Sequence, residues 1–262
     1  MGALAVLTAA GSGSRLGANL PKALVEVAGT PIVVRAAQGL AEAGCSGIVV
    51  TAPAQALSEF RALLTPHIPG YPEVKVIVVP GGVSRQASVA AGIAALTEVS
   101  AKESVAEDTV GGERRVVLVH DAARCLTPAE MIKRVITAVE SGLNAVIPAL
   151  PLSDTLKKVG ASYDLSSGDG DSFSVQEVVD TVDRTSLAAV QTPQGFTLET
   201  LRQAHDYGTE RAGDEAVSAT DDAALVEALG KKVHVVLGDA RAMKVTTPFD
   251  VQVAEIFCAQ EE

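Results

Sequence analysis

The stretch ALAVLTAAGSGSRLG, residues 3–17, joins an apolar run to a glycine-rich turn. A turn of this kind after a strand commonly holds a phosphate group through its backbone N–H groups. Spacing excludes the dinucleotide-binding fingerprint, because Leu16 stands where its third glycine is required. The phosphate loop of the nucleoside triphosphatases is excluded too, because it needs Gly-Lys-Ser/Thr and the first lysine, Lys22, follows Pro21.

Two cations near this turn favour a third interpretation. The loop, including Gly11 and Gly13, would wrap a triphosphate with backbone N–H groups, and Arg15 and Lys22 would add positive charge. A plain strand-to-helix turn also explains the glycines, since they allow unusual backbone geometry. It does not require two positive side chains, and this favours the phosphate interpretation.

Apolar runs alternate with helical patterns along most of the chain. This rhythm is typical of an α/β fold with an open, doubly wound, mostly parallel sheet. Right-handed crossovers bring the carboxyl ends of such strands to one edge, where ligands bind near a switch in strand order. The sequence predicts strands at 3–9, 47–52, 74–79, 115–120, 144–150 and 232–237, and helices at 31–44, 54–64, 84–96, 128–141, 199–208, 219–230 and 248–260.

The rhythm breaks between residues 151 and 192. Two strand-like patterns, 154–159 and 174–184, flank a polar, glycine-rich segment. We interpret 151–192 as a β-hairpin arm inserted into a single domain, residues 1–262. A two-stranded arm has little core of its own, so we expect it to pack on a second copy of the chain. The charged segment 98–115 is predicted to be a solvated loop.

The composition excludes several classes of protein. The 262 residues carry a net charge of −11, which disfavours nucleic acid or an anionic membrane as a partner. Hydrophobic residues make up 47% and aromatic residues only 3%, so the core is aliphatic and suits a sheet covered on both faces. The three cysteines and four histidines show no disulfide or metal-ligand spacing. No apolar run reaches about 18 residues, and we expect a soluble, cytoplasmic protein.

A second segment, PGGVSRQASVAAG at 80–92, follows a predicted strand. Ser84 is the expected N-cap of a helix, and Arg85 and Ser88 lie three residues apart on one face. The free N–H groups of a helix start can bind anions or base edges. A capped helix with a surface arginine is the alternative.

A third segment, VHDAARCLTP at 119–128, places Asp121 where a strand ends. A carboxylate beside a triphosphate is a natural Mg²⁺ partner, directly or through water. The alternative is an ion pair between Asp121 and Arg124 that merely orders the loop. For His120 we favour a packed histidine. A fourth segment, RAMKVTTPFD at 241–250, contributes Lys244.

Together these loops offer several cations and a single acid. On an acidic protein, such a cluster attracts a polyanion. No Ser–His–Asp order and no metal-ligand cluster is present in the sequence, so the site suits in-line attack at phosphorus, driven by positioning and charge neutralisation. The cations are Arg15, Lys22, Arg85, Arg124 and Lys244.

The ordered series of motifs resembles a known family. AAGSGSRLG-x-x-x-PK, GGVSRQASV, VHDAAR, SDTLK, VDR, QTPQGF, ATDDA and MKVTTPFD follow one another from about residue 4 to residue 256. The series is similar to the 2-C-methyl-D-erythritol 4-phosphate cytidylyltransferases of the non-mevalonate isoprenoid route, which have a Rossmann-like nucleotidyltransferase fold. The resemblance implies that the 4-phosphate of the substrate attacks the α-phosphorus of CTP with Mg²⁺, giving 4-diphosphocytidyl-2-C-methyl-D-erythritol and pyrophosphate.

The resemblance also implies residue roles. Arg15, Lys22 and Lys244 would neutralise the triphosphate and its transition state. Asp121 would lie by the ribose and the metal, and Arg124 would contribute to the second substrate's site. The cytosine pocket would be lined by Ala9, Ala10, Gly82 and Ser88, with Arg85 supporting it.

On the arm, the resemblance implies that Thr155 and Arg184 grip the methylerythritol phosphate across a homodimer interface. Some positions depart from the family pattern. Cys125 replaces a common proline, Ala242 replaces a common asparagine, and Ala23 with Leu24 replaces a larger polar and aromatic pair. The segments 98–114 and 160–173 are longer than is typical.

Two other functions fit parts of the sequence. A ribitol 5-phosphate cytidylyltransferase would share the CTP site and differ where the polyol is held; the DTLK and VDR motifs favour the methylerythritol enzyme. A non-catalytic nucleotide-binding module would keep the glycines and lose Arg15, Lys22 or Lys244. All three cations are present, which favours an enzyme.

Overall fold

A computed structural model describes residues 2–11, 20–65, 67–99, 109–110, 113–166, 171–210 and 221–260. The predicted alternation of strands and helices is confirmed there. The strands are β1 Ala3–Thr8, β2 Glu26–Val27, β3 Thr30–Pro31, β4 Cys45–Ala52, β5 His67–Ile68, β6 Tyr71–Pro80, β7 Thr109–Val110, β8 Glu113–Arg114, β9 Val116–Asp121, β10 Ala145–Pro151, β11 Leu156–Ser166, β12 Ser172–Val182, β13 Ala188–Val190, β14 Gln194–Thr197 and β15 His234–Leu237. The helices are α1 Ile32–Glu42, α2 Leu57–Leu64, α3 Arg85–Val99, α4 Ala129–Glu140, α5 Leu198–Glu210, α6 Asp222–Ala228 and α7 Pro248–Ala259.

The central sheet is doubly wound. Over the described residues it has nine strands in the order β13-β10-β14-β9-β1-β4-β6-β5, with β15 paired to β10. The four middle strands, β9, β1, β4 and β6, run parallel, whereas β14 joins β9 antiparallel. The chain leaves β1 toward β4 on one side and later returns to β9 on the other. The switch in strand order therefore lies at β1.

Both faces of this sheet are covered, as the aliphatic composition predicts. Side chains of β1 alternate between two cores: Ala5 and Leu7 join one, and Leu4 and Val6 join the other. Helices α1, α2, α4 and α7 contribute to the first core, and α3, α5 and α6 to the second. Among the described residues, no helix is long and apolar enough to cross a bilayer.

The register aligns the carboxyl ends of the parallel strands. Thr8 at the end of β1 pairs with Asp121 of β9 and with Thr51 of β4, and Ala52 pairs with Pro80 at the end of β6. The chain that follows each strand therefore leaves at the same edge of the sheet. This edge, at the switch in strand order, is where the sequence predicts a ligand site.

The arm is an antiparallel pair, β11 and β12, and its strands extend further toward the tip than the sequence pattern predicts. Leu165 pairs with Phe173, and Tyr163 lies two residues before Leu165, so these three side chains share one face. All three are exposed. An exposed apolar face on a two-stranded ribbon leaves the arm without a core of its own within the described chain.

Two local predictions are wrong, and two short strands are not predicted. The predicted loop 98–115 contains the end of α3 and the hairpin of β7 and β8. The N-cap of α6 is Asp221, whose carboxylate accepts from the backbone N–H of Ala224, so α6 begins at Asp222 and not at the predicted residue 219. Strands β13 and β14 are not predicted, because β13 is only three residues long and Gln194 and Gly195 interrupt the apolar pattern of β14.

Candidate active site

A cavity of about 450 Å³ opens at the carboxyl edge of β1, β6 and β9. It collects residues that are far apart in sequence, and it contains most of the predicted nucleotide-site residues. The described lining residues are Thr8, Ala9, Ala10, Gly11, Lys22, Ala23, Gly82, Val83, Ser84, Arg85, Ser88, Asp121, Ala122, Ala123 and Lys244.

The loops after β1 and β6 meet at the floor of this cavity. The backbone N–H of Ala9 donates to Thr51 O at 2.8 Å, and that of Gly81 donates to Ala52 O at 2.8 Å. A Cβ at Gly81 would lie only 2.5 Å from the Cβ of Ala10. Glycine at 81 therefore lets the two loops touch, and small side chains leave the backbone exposed to a ligand.

The helix start at 84–88 is built as the sequence predicts. Ser84 caps α3, because its Oγ accepts from the N–H of Ala87 at 3.1 Å. The hydroxyl of Ser88 donates to the carbonyl of Ser84 at 2.9 Å and accepts from the N–H of Gly82 at 3.1 Å. Ser88 thereby holds the Gly82 loop against the first turn of α3.

Asp121 is the carboxylate that lines the cavity among the described residues. Its Oδ1 lies 3.1 Å from Arg85 Nε and its Oδ2 lies 2.8 Å from Lys244 Nζ. The hydroxyl of Thr8 also donates to Oδ1, at 3.3 Å. Burial alone would raise the pKa of Asp121, but the charges of Arg85 and Lys244 outweigh it and hold that pKa well below its ordinary value. The carboxylate is therefore ionised across the physiological pH range.

Arg85 joins this carboxylate to a second one. Its Nη1 lies 2.7 Å from Oδ2 of Asp222, which is only 1% exposed, and His205 Nε2 lies 2.9 Å from the other oxygen of Asp222. Burial disfavours the charge on Arg85, yet Asp222 and Asp121 together raise its pKa above the ordinary value. Arg85 remains a cation at the cavity wall.

The two lysines reach the cavity from short connecting segments. Lys22 begins a 3₁₀ turn, 22–24, directly after Pro21. Lys244 lies in a segment without regular secondary structure that is tied to the loop after β9, because the N–H of Val245 donates to Ala123 O at 2.8 Å. A tertiary hydrogen bond, and not a strand, fixes the position of Lys244.

Other predicted residues lie outside the cavity lining. Arg124 sits beside it, where its guanidinium donates to Ala242 O at 2.7 Å and to Val190 O at 3.3 Å, and burial lowers its pKa. Thr155 and Arg184 are exposed at the base of the arm, where Arg184 donates to the carbonyl of Ser153. The predicted contacts of Gly13 and Arg15 fall outside the described residues.

His120 is a packed histidine, as we expected. Its Nδ1 lies 2.9 Å from Thr192 Oγ1, and the same hydroxyl accepts from the N–H of Asp121 at 3.0 Å. Burial lowers the pKa of His120 to about 4. The ring is therefore neutral at pH 7, and together with the N–H of Asp121 it holds the hydroxyl of Thr192 at the end of β9.

Sequence reasoning missed three residues of this site. Thr8 lines the cavity, Thr192 supports Asp121, and Asp222 holds Arg85. Asp222 and Thr192 lie within the quoted ATDDA and QTPQGF motifs, so their positions carried a signal. The patterns alone did not show which residues they would contact.

Comparison with known proteins bears directly on this site. A family model described as 2-C-methyl-D-erythritol 4-phosphate cytidylyltransferase matches residues 3–260. The chain belongs to this family. The resemblance drawn from the motifs is thereby confirmed, and the chain is a cytidylyltransferase rather than a non-catalytic module.

Relatives and solved structures of this family match the whole chain. The chain is 44% identical over 260 residues to the 2-C-methyl-D-erythritol 4-phosphate cytidylyltransferase of Saccharopolyspora erythraea, covering 99% of this chain and 100% of that relative. It is 44% identical over 253 residues to the enzyme of the same name from Nocardia farcinica, covering 96% and 92%. The crystal structure of the Thermus thermophilus cytidylyltransferase superposes with a TM-score of 0.69 at 28% identity, covering 99% and 100%. The doubly wound fold is thus that of the cytidylyltransferase family.

The neutral, buried His120 predicts a specific pH dependence of this cytidylyltransferase's stability. The unfolded histidine takes up a proton near pH 6.5, whereas the folded one does so only near pH 4. The free energy of unfolding should therefore fall as the pH decreases through this window. His120→Gln should lack this component, and the difference between the two proteins should change by up to about 3 kcal/mol.

Urea unfolding of both proteins at several pH values between about 4 and 7.5 measures this difference. The two proteins share all other titrating groups, so the contributions of those groups cancel in the difference between their free energies of unfolding. Parallel curves over this range would show that His120 binds its proton equally in the folded and unfolded chains.

Proposed function

We propose that this chain transfers the cytidylyl group of CTP to 2-C-methyl-D-erythritol 4-phosphate, giving 4-diphosphocytidyl-2-C-methyl-D-erythritol and pyrophosphate. The observation that carries the proposal is the cavity at the switch in strand order. Its described lining combines a helix start with the cations Lys22, Arg85 and Lys244 around Asp121. On a chain of net charge −11, such a local cluster favours a polyanionic ligand. Its volume falls in the usual range for small-molecule sites, roughly 300–1,000 Å³.

We propose one orientation for the nucleotide in this cavity. We assign the cytosine to the pocket of Ala9, Ala10, Gly82 and Ser88, where backbone groups and the start of α3 can bind base edges. The ribose then lies by Asp121, with Arg85 supporting the pocket. The triphosphate extends over Gly11 toward Lys22, and Gly13 and Arg15 belong to the same loop by sequence.

The chemistry needs positioning and charge more than a protein nucleophile. A phosphate oxygen of the polyol phosphate attacks the α-phosphorus in line, and the bond to the bridging oxygen of the pyrophosphate breaks. Lys22 and Lys244, with Arg15, stabilise the negative charge on the oxygens of the transition state. Lys244 donates to Oδ2 of Asp121 in the structure, and its ammonium has further N–H donors that can reach the α-phosphate while this contact is kept.

The residues present fit a magnesium ion that is held mainly by the nucleotide. The described residues contain no cluster of three or more acidic, histidine or cysteine side chains that could form a cage. Asp121 is the acid at the cavity, and Mg²⁺ typically binds one or two carboxylates together with phosphates and water. When bound, Mg²⁺ would neutralise charge on the phosphates. We propose Asp121 as its protein contact, directly or through water.

The second substrate belongs at the base of the arm in this proposal. Arg124 sits beside the cavity and offers a positive charge toward β13. Thr155 and Arg184 lie exposed where the arm leaves the sheet.

The exposed apolar face of Tyr163, Leu165 and Phe173 supports a homodimer in which arms from two copies pack together. Residues 151–192 then act as a dimerisation arm of a single domain. Cytoplasmic location stays a prediction from composition.

Turnover tests the function directly. The purified protein with CTP and Mg²⁺ should release pyrophosphate with 2-C-methyl-D-erythritol 4-phosphate and far less with ribitol 5-phosphate, because the arm base recognises the polyol. Pyrophosphate release and chromatography of the cytidine product measure both reactions. Turnover of ribitol 5-phosphate alone would reverse the assignment while leaving the CTP site intact.

Lys22→Ala should reduce kcat/KM by a factor equivalent to about 2–4 kcal/mol, because a charge on the transition state is lost. Steady-state kinetics with both substrates checks this. Lys133→Ala is the matched control, since Lys133 is an exposed lysine of α4 outside the cavity lining. Near-normal turnover by the Lys22 variant would remove this lysine from the mechanism.

Arg184→Ala should raise the KM for the polyol phosphate far more than the KM for CTP, because the arm base contacts only the second substrate. Initial rates at varied concentrations of each substrate separate the two. An equal loss for CTP would contradict the assignment of the arm.

Sedimentation of the wild-type protein should show a dimer, and a monomer with full activity would exclude a site shared between copies.

A further inference from the structure

Asp222 is a buried carboxylate that lies outside the lining of the cavity. It is the first residue of α6 and is 1% exposed. A buried carboxylate is costly unless it is paired and hydrogen-bonded. Asp222 meets both conditions through Arg85 Nη1 at 2.7 Å and His205 Nε2 at 2.9 Å.

Helix capping does not account for Asp222. The neighbouring Asp221 is the cap, since its Oδ1 accepts from the N–H of Ala224 at 2.9 Å. Its Oδ2 accepts from the side chain of Gln194 at 2.7 Å. Two adjacent acids thus have separate tasks: Asp221 organises the helix start, and Asp222 faces the arginine of the cavity.

Arg85 is a bridge between two parts of the fold. Its Nε contacts Oδ1 of Asp121 at the end of β9, and its Nη1 contacts Asp222 of α6. Arginine is suited to this task because its planar guanidinium offers several N–H donors in fixed directions. Held at both ends, the guanidinium occupies one oxygen of Asp121, and Lys244 occupies the other.

His205 supports the bridge from a further helix, α5. It is buried, and its Nε2 faces Oδ1 of Asp222. Its Nδ1 is buried without a hydrogen-bond partner among the described residues. Asp222 is an acceptor, so the ring nitrogen that faces it, Nε2, carries the N–H of this hydrogen bond. The ring donates to Asp222 and fixes the carboxylate toward Arg85.

We propose that Asp222, anchored by His205, is a positioning residue for CTP binding: it holds Arg85 on one oxygen of Asp121 and keeps the other oxygen for Lys244 and the nucleotide. The proposal rests on the proposed function and deepens it. Without the charge of Asp222, Arg85 turns fully onto Asp121 as a two-bonded pair and displaces Lys244. The cavity then loses the arrangement that receives the ribose and the α-phosphate.

The variant Asp222→Asn tests this proposal, because positioning and simple electrostatics predict opposite changes in the affinity for CTP. Loss of a negative charge beside a basic cavity would by Coulomb attraction alone strengthen binding of a triphosphate. Loss of positioning weakens it. Asp221→Asn is the matched control, because it makes the same charge change one residue away and has no contact with Arg85 in the structure.

Calorimetric titration with CTP and Mg²⁺, together with steady-state kinetics, gives the readouts. For Asp222→Asn we expect the Kd and KM for CTP to rise at least about tenfold, while the KM for the polyol phosphate changes by less than about twofold. The control should keep its CTP values within about twofold of the wild type. Unchanged or tighter CTP binding by Asp222→Asn would overturn the proposal, as would an equal loss in the control.

Arg85→Lys provides a second test that does not depend on the folding of the Asp222 variant. A lysine keeps the charge but its compact ammonium does not bridge two carboxylates at these positions. We expect the same loss of CTP affinity, and the double variant should lose no more than either single one. Wild-type affinity in Arg85→Lys would show that the bridge is not needed.

The outcomes separate this proposal from the function it rests on. A wild-type protein that binds CTP but does not use the methylerythritol phosphate would contradict the proposed reaction. The CTP affinities of the variants would then still test the positioning role of Asp222. Normal turnover by the wild type together with unchanged CTP binding by Asp222→Asn would contradict the positioning role alone. Absence of CTP binding by the wild type would overturn both.

Discussion

The buried carboxylate of Asp121 is the point on which the site depends. It stands at the end of β9 and holds Arg85, 36 residues away in sequence, and Lys244, 123 residues away. A charge in this position is stable only with partners, because removal from water is costly. The pairing therefore joins the sheet, the start of α3 and the segment before α7 in one arrangement. Burial and the two positive charges oppose each other in setting the pKa of this group, and the charges prevail.

The sheet explains why these groups meet where they do. β1 lies between β4 and β9, and all three run parallel, so the chain leaves each of them at the same edge. Strand order switches at β1, which opens a crevice between the loops on its two sides. Ala10 and Gly81 touch across this crevice at a distance that admits no larger side chain. Small residues at the floor and cations at the walls suit a ligand that is read by backbone groups and held by charge.

The net charge of the protein and the charge of its cavity are opposite in sign and act over different distances. The overall charge of −11 keeps other polyanions from binding nonspecifically, while Lys22, Arg85 and Lys244 act over the short range of the cavity. Two of these cations are paired with carboxylates in the structure, so they are held in place at little cost before a ligand arrives. The arm adds a different kind of feature, an exposed apolar face that is separate from the charged cavity.

The sequence by itself determined the fold class, the arm, the helix start at Ser84 and the family, because apolar periodicity, turn residues and motif order are local properties of the chain. It also selected Lys22, Arg85, Asp121 and Lys244, since each follows a strand or precedes a helix at the predicted edge. It did not predict β13 and β14, which are only three and four residues long, and it placed the start of α6 at residue 219 and not at Asp222. The bridge from Asp222 through Arg85 to Asp121 was decided only by the tertiary structure. Asp222 lies 137 residues from Arg85 in the sequence, and Asp121 lies 36 residues from it. Only the packing of α6 and α3 against the sheet brings their charges within hydrogen-bond distance.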